Sequence, residues 1–158
     1  MSNKVCLKLI SFILAKSNIF LLDYGFEERK LKIEITRIKT ETSFIVMNYL
    51  GISMLVMNRS AMVAGKLLAL ATRTKLANRD IFDIWYFLKN NWEIDNKVIK
   101  SKSGLDIKKI IEMAIRRVEK VKNNQILFGL GDLLSNSTKD FVKKHLKEDV
   151  LLELKMRL

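Results

Sequence analysis

Between Lys66 and Asp83 the chain reads KLLALATRTKLANRDIFD, which places Lys66, Arg73 and Arg79 in one short stretch with Asp80 and Asp83. Two helices joined by a tight connection would bring these five residues together, with apolar residues on the other faces holding the helices against a core. Fixed cations and carboxylates beside an apolar wall suit a polyphosphate and its metal. A lysine offers phosphate a point charge on a flexible stem, and an arginine offers a planar fork of donors. Each residue also has an ordinary reading. Lys66 falls inside the apolar run Met62 to Leu70, where a lysine can snorkel along the helix edge. A carboxylate such as Asp80 in the first turn of a helix is favourable by about 0.3–1 kcal/mol from the dipole alone. Asp83, one turn on, fits a structural ion pair with Arg79 or Arg73. The two arginines either contact phosphate or neutralise these aspartates.

The elements that must position the cluster follow from periodicity. Val5, Leu9, Phe12 and Ile13 share a face at helical spacing, which predicts a helix over residues 4–15. Ile19 to Tyr24 reads as a strand. Leu31, Ile33 and Ile35 alternate with Lys32, Glu34 and Thr36, the period-two pattern of a half-buried strand. Ser43–Tyr49 and Ile52–Met57, divided at Gly51, are two more strands. Beyond Met57 the pattern becomes helical, with Ser60 placed to cap residues 61–74 and Asn78 to cap 79–90. Ile107, Ile110, Ile111, Ala114, Ile115, Val118 and Val121 form an apolar stripe after Asp106. Gly129 and Gly131 mark a break, and Ser137 with Asp140 approximates a capping box for a last helical stretch. Strands first and helices after predict an α+β chain. A sheet region over 1–58 is followed by a helical bundle over 59–158, read together as one continuous domain.

Composition sets the wider bounds. The 158 residues carry 29 Lys and Arg against 17 Asp and Glu, a formal charge of +12. That surplus predicts a nucleic acid, a nucleotide or an acidic protein as partner. From Lys97 to Lys122 nine basic residues (Lys97, Lys100, Lys102, Lys108, Lys109, Arg116, Arg117, Lys120, Lys122) face three acidic ones (Asp106, Glu112, Glu119). The resulting surplus of six is either a solvated helix face or a docking surface for tRNA or another RNA. The single Cys6 excludes an internal disulfide and points to a reducing cytoplasm. His145 stands among lysines and takes no role. The apolar run Val5 to Leu14 is interrupted by Lys8 and is too short to span a bilayer. The consecutive Trp85, Tyr86 and Phe87 point in different directions on a helix, which favours core packing over base stacking.

Gly65-Lys66-Leu67-Leu68-Ala69-Leu70-Ala71-Thr72-Arg73, followed by Arg79-Asp80-Ile81-Phe82-Asp83-Ile84, resembles the helical signature of the AbiEii-type nucleotidyltransferase toxins. These are the toxin half of an abortive-infection toxin–antitoxin pair. Lys32-Ile33-Glu34-Ile35 resembles that family's strand ending in a carboxylate. The resemblance implies a nucleotidyltransferase-like fold and transfer of NMP from an NTP, with Mg²⁺, to a tRNA or protein acceptor. It also implies a cognate antitoxin. By the same resemblance Glu34 is a tentative metal ligand and, with Asp80, a catalytic residue. Lys66, Arg73 and Arg79 bind phosphate, with Asp80 orienting Lys66 or a metal-bound water. The ordinary reading of Glu34 is an exposed carboxylate paired with Lys32 or Lys30. The family opens with a Gly-Ser turn and an Asp-x-Asp metal pair, and neither occurs in these 158 residues. The expectation is therefore a fragment, split product or degenerate relative, truncated with respect to the family, with weak NTP and Mg²⁺ binding. The alternative is a non-catalytic basic module that binds RNA or a partner.

Overall fold

The computed structural model describes residues 8–14, 17–23, 30–36, 43–130 and 134–158. Its contacts divide the chain into two compact units, Met1–Thr40 and Glu41–Leu158. The change from strand to helix after Met57 falls inside the second unit, which therefore includes the two strands just before it. The class is α+β, with two antiparallel sheets and six α-helices among the described residues.

The N-terminal unit is a three-stranded sheet of β1 (Lys8–Leu14), β2 (Ser17–Asp23) and β3 (Leu31–Thr36), in the order β1-β2-β3. The helix expected over 4–15 is therefore a strand at Lys8–Leu14, with residues 4–7 outside the described residues. Its seven residues are a run that periodicity alone cannot assign. Pairing decides it: Lys8 lies opposite Asp23 and Leu14 opposite Ser17. β3 keeps its alternation but not the expected half-burial, since Leu31, Ile33 and Ile35 are 47%, 41% and 52% exposed. A sheet buries a face only against a second layer, and the described residues of this unit supply none.

The second unit opens with the hairpin of β4 (Phe44–Tyr49) and β5 (Ile52–Met57), in register from Phe44↔Met57 to Tyr49↔Ile52. Leu50 and Gly51 both adopt positive φ, 49° and 79°, the backbone that a two-residue type I′ turn requires. Six helices follow: α1 (Arg59–Thr72), α2 (Asn78–Lys89), α3 (Asn96–Ser103), α4 (Ile107–Glu119), α5 (Asn136–Lys144) and α6 (Leu146–Lys155). The buried apolar core, from Ala61 to Leu154, lies wholly in these helices and their connections. α1 packs against α2, α3 and α4, while α6 closes the bundle against α2, α4 and α5. The apolar stripe of α4 behaves as its spacing predicts. Ile110, Ile111, Ala114, Ile115 and Val118 are buried, with Ile107 and Val121 half-buried. Trp85 and Phe87 pack inward, Phe87 stacking on Trp92 at 4.6 Å, and Tyr86 stays exposed. His145 is exposed.

The helix caps differ from the expected residues. Asn58, not Ser60, caps α1, its Oδ1 accepting the Ser60 N–H at 3.3 Å. Ser135, not Ser137, caps α5, accepting from Thr138 N–H at 3.3 Å. Asn78 does not cap α2; its Nδ2 donates to Gln125 O at 2.7 Å and Phe128 O at 3.2 Å. At the opposite ends, long cationic side chains reach between helices. Arg117 of α4 donates to Ala71 O of α1 at 3.2 Å, and Arg157, beyond α6, to Leu88 O of α2 at 2.8 Å. Lys147 of α6 donates to Glu119 O and Val121 O, at the end of α4, at 2.9 and 2.8 Å. Each places a positive charge on the carbonyls a helix leaves unpaired, where the dipole favours it. The buried stripe of α4 makes a direct test: Ile111→Ala should lower unfolding free energy by about 2–5 kcal/mol, read as a lower urea midpoint at unchanged m-value.

Candidate functional site

The tight connection is five residues long, from Arg73 to Ala77, between α1 and α2. Arg73 leaves the helix in an extended conformation, φ −58° and ψ 135°, which turns the chain back toward α1. Asp80, in the first turn of α2, then lies beside Lys66 of α1, fourteen residues earlier. Lys66 Nζ donates to Asp80 Oδ1 at 3.1 Å, and Arg73 Nη1 donates to Asp80 Oδ2 at 2.8 Å. Lys66 Nζ also pairs with Asp83 Oδ2 at 2.7 Å.

Exposure separates the roles available to these groups. The Asp80 side chain is 1% exposed, those of Lys66 and Asp83 31% and 33%, and that of Arg73 45%. A carboxylate so deeply buried persists only when paired, and both Asp80 oxygens are taken by cations. An ammonium has three donors and a guanidinium five. Lys66, bound to two carboxylates, keeps one N–H, and Arg73 keeps most of its fork. Both cations reach solvent, so these remaining donors can meet a phosphate oxygen. Burial pulls the Lys66 pKa down, but the hydrogen bonds and charges of Asp83 and Asp80 outweigh it and hold it above the ordinary lysine value. The ammonium is therefore charged at neutral pH.

The structure brings Lys66, Arg73, Asp80 and Asp83 together. Asp83 does join the two helices, but through Lys66 rather than Arg79 or Arg73. Arg79, one residue before Asp80, is exposed, forms no ion pair among the described residues, and lines a separate cavity with Lys75 and Phe128. Glu34 belongs to the N-terminal unit, on β3 opposite Ile19, where its carboxylate takes Lys32 Nζ at 2.8 Å. As a metal site the helical cluster is a poor fit. Its two carboxylates are already matched to two cations, and a divalent ion would have to displace them.

The family described as "Nucleotidyl transferase AbiEii toxin, Type IV TA system" matches residues 12–149. Comparison with curated proteins and with solved structures gave no match.

The unequal burial of the two aspartates predicts unequal costs. Asp80→Asn should cost about 1–3 kcal/mol, the range for leaving buried polar groups mispaired. Fully buried ion pairs cost more, but both partners here reach solvent. Asp83→Asn should cost no more than about 1 kcal/mol. Urea titration of both variants checks the order. The Lys66 contribution has a defined pH window, because its folded pKa is raised. The stability difference between wild type and Lys66→Met should hold through neutral pH and shrink as pH climbs through and beyond the ordinary lysine range.

Proposed function

The chain belongs to the AbiEii family of nucleotidyl transferase toxins, and from that premise we propose that the Lys66–Arg73 pair holds the phosphates of an NTP during transfer of an NMP unit. The observation that carries this reading is Asp80. At 1% exposure it fixes both cations by their nitrogens and leaves their outward donors free. In this account Asp80 is a positioning residue, because its oxygens touch Lys66 and Arg73 and leave none for substrate. Asp83 shares Lys66 and limits the directions its ammonium can take. Prepaid positioning of this kind is how fixed cations favour a phosphoryl centre without reorganising as charge develops.

The acceptor in this proposal is a tRNA or a protein hydroxyl, and the cognate partner is the antitoxin that a type IV toxin–antitoxin family implies. Asp80 and Asp83 are already matched to Lys66 and Arg73 and do not fit Mg²⁺, so no step is routed through a metal held there. Transfer of this class commonly uses metal ions at the attacking and leaving oxygens, and the Asp-x-Asp pair that would hold them does not occur in these 158 residues. A second reading, a basic module that binds RNA or a partner without catalysis, is favoured by one observation. Lys97, Lys100, Lys102, Lys108, Lys109, Arg116, Lys120 and Lys122 are all exposed. Among the described residues no helix is long and apolar enough to cross a membrane.

One measurement tests the missing carboxylate pair and a second separates the readings. The purified chain should transfer no label from any α-labelled NTP to bulk tRNA or protein; robust incorporation would overturn the assignment of a missing carboxylate pair. It should still bind NTP weakly, and Lys66→Ala combined with Arg73→Ala should weaken that binding at least about tenfold, the equivalent of one lost charge-assisted contact. NTP affinity indifferent to both substitutions would leave only the binding-module reading.

A further inference from the structure

A groove of about 1010 Å³, lined by none of the four residues of the Lys66 cluster, opens beside the α1–α2 connection. One wall is the connection itself, with Lys75. The other is the end of α4 and the turns after it, with Arg117, Lys120 and Phe128. The volume stands at the top of the roughly 300–1,000 Å³ range of small-molecule sites. Among the described residues its lining includes these three cations and no carboxylate. Arg117 is partly committed to Ala71 O; Lys75 and Lys120 are exposed and in no ion pair among the described residues. This contrasts with the neutralised Lys66 cluster and selects an anionic ligand.

Phe128 adds a second requirement. Its side chain is 81% exposed, although Ile126 and Leu130 on either side are 1% and 2% exposed. The exposure does not come from a loose backbone. The Phe128 carbonyl accepts from Asn78 Nδ2, its N–H donates to Gln125 O at 3.0 Å, and Gly129 turns the chain at φ 78°. An aromatic ring is thus held in water by an anchored backbone, at the cost of its own burial. The same residue lines both this groove and the smaller cavity of about 260 Å³ that Arg79 lines. An exposed ring on an anchored backbone beside cations is the combination that single-stranded nucleic acid uses, bases stacking on the aromatic face while lysines follow the phosphates. An acidic peptide would engage the cations and leave the ring without a role.

We propose that this groove binds a nucleotide unit, with its phosphate on Lys75, Lys120 and Arg117 and its base on the ring of Phe128. The unit is either a free nucleoside phosphate or one nucleotide of an RNA strand, since both present the same base and phosphate. The proposal does not rest on transfer activity, and it concerns residues outside the Lys66 cluster.

The test is fluorescence anisotropy of a short fluorescein-labelled oligoadenylate with the full chain in low salt, with AMP and poly-glutamate as competitors. Phe128→Ala should weaken binding roughly 5- to 100-fold, the range for losing one base–aromatic stack. Lys75→Glu and Lys120→Glu should each flatten the log–log salt dependence by about 0.7, one phosphate contact. Lys108→Glu, on α4 but outside the groove, should change binding far less. Competition by AMP at the same site identifies a free nucleotide as a sufficient ligand; displacement by oligoadenylate alone identifies the strand. The proposal is overturned if neither probe binds, if Phe128→Ala binds as wild type, if poly-glutamate competes as well as RNA, or if Lys108→Glu costs as much as Lys120→Glu. Circular dichroism melts of each variant confirm that the fold is retained; these side chains are exposed, so little change is expected.

Discussion

A carboxylate at 1% exposure is the constraint on which the centre of the helical unit turns. Removing a carboxylate from water costs several kcal/mol unless cations and hydrogen bonds replace the lost hydration. Asp80 meets that condition only if α1, the connection and α2 all adopt their observed geometry, because one cation stands on α1 and the other at its end. Lys66 and Arg73 are seven residues apart, two helical turns, which places them along one edge of α1. Ile81 and Ile84, fully buried on α2, pull the same segment into the core. Packing and ion pairing therefore demand one and the same approach of the two helices. A polar group buried for function alone would set these two demands against each other.

The positive charge of the chain is partly structural. Arg117, Lys147 and Arg157 each end on carbonyl oxygens of another helix, at the termini of α1, α4 and α2. Helices this short leave a large share of their carbonyls unpaired, and a cation from a neighbour meets that need while fixing the two helices to each other. These contacts commit Lys147 and Arg157 to the fold and Arg117 through one of its guanidinium donors, so not every cation is fully available to a ligand. The surplus of six between Lys97 and Lys122 is thus not a uniform surface. Arg117 is half-buried and braces α1, and Arg116 and Lys109 share Glu112.

The parts of this structure legible in the sequence are those set by short-range pattern. α4 follows from its stripe, β3 to β5 from alternation and β-rich runs, and the meeting of Lys66 with Asp80 from a connection too short to separate them. What was not legible depends on partners distant in the chain. β1 reads as helix because Leu9, Phe12 and Ile13 satisfy helical spacing, and only its pairing with β2 decides otherwise. The caps at Asn58 and Ser135 stand two residues before the expected ones because Asn58 and Ser60, or Ser135 and Ser137, are equally able to cap. Asp83 selects Lys66 over the arginines through the crossing of two helices, which no spacing encodes. Asn78, Gln125 and Phe128 meet across 47 and 50 residues, so the groove they shape has no local signature at all.

The connection from Arg73 to Ala77 contributes to two electrostatic environments, Arg73 to the cluster and Lys75 to the groove. On the Lys66 side two cations face two carboxylates, so the net charge is zero and long-range attraction is small. At Lys75 the cations of the groove face no carboxylate among the described residues of its lining, so the field there reaches into solvent, over a screening length of about 8 Å at physiological salt. Steering and positioning call for opposite properties, mobile unpaired charge for one and immobilised paired charge for the other. A five-residue connection carries both kinds of charge, because the carboxylate that immobilises Lys66 and Arg73 is buried and forms no ion pair with Lys75 or Lys120.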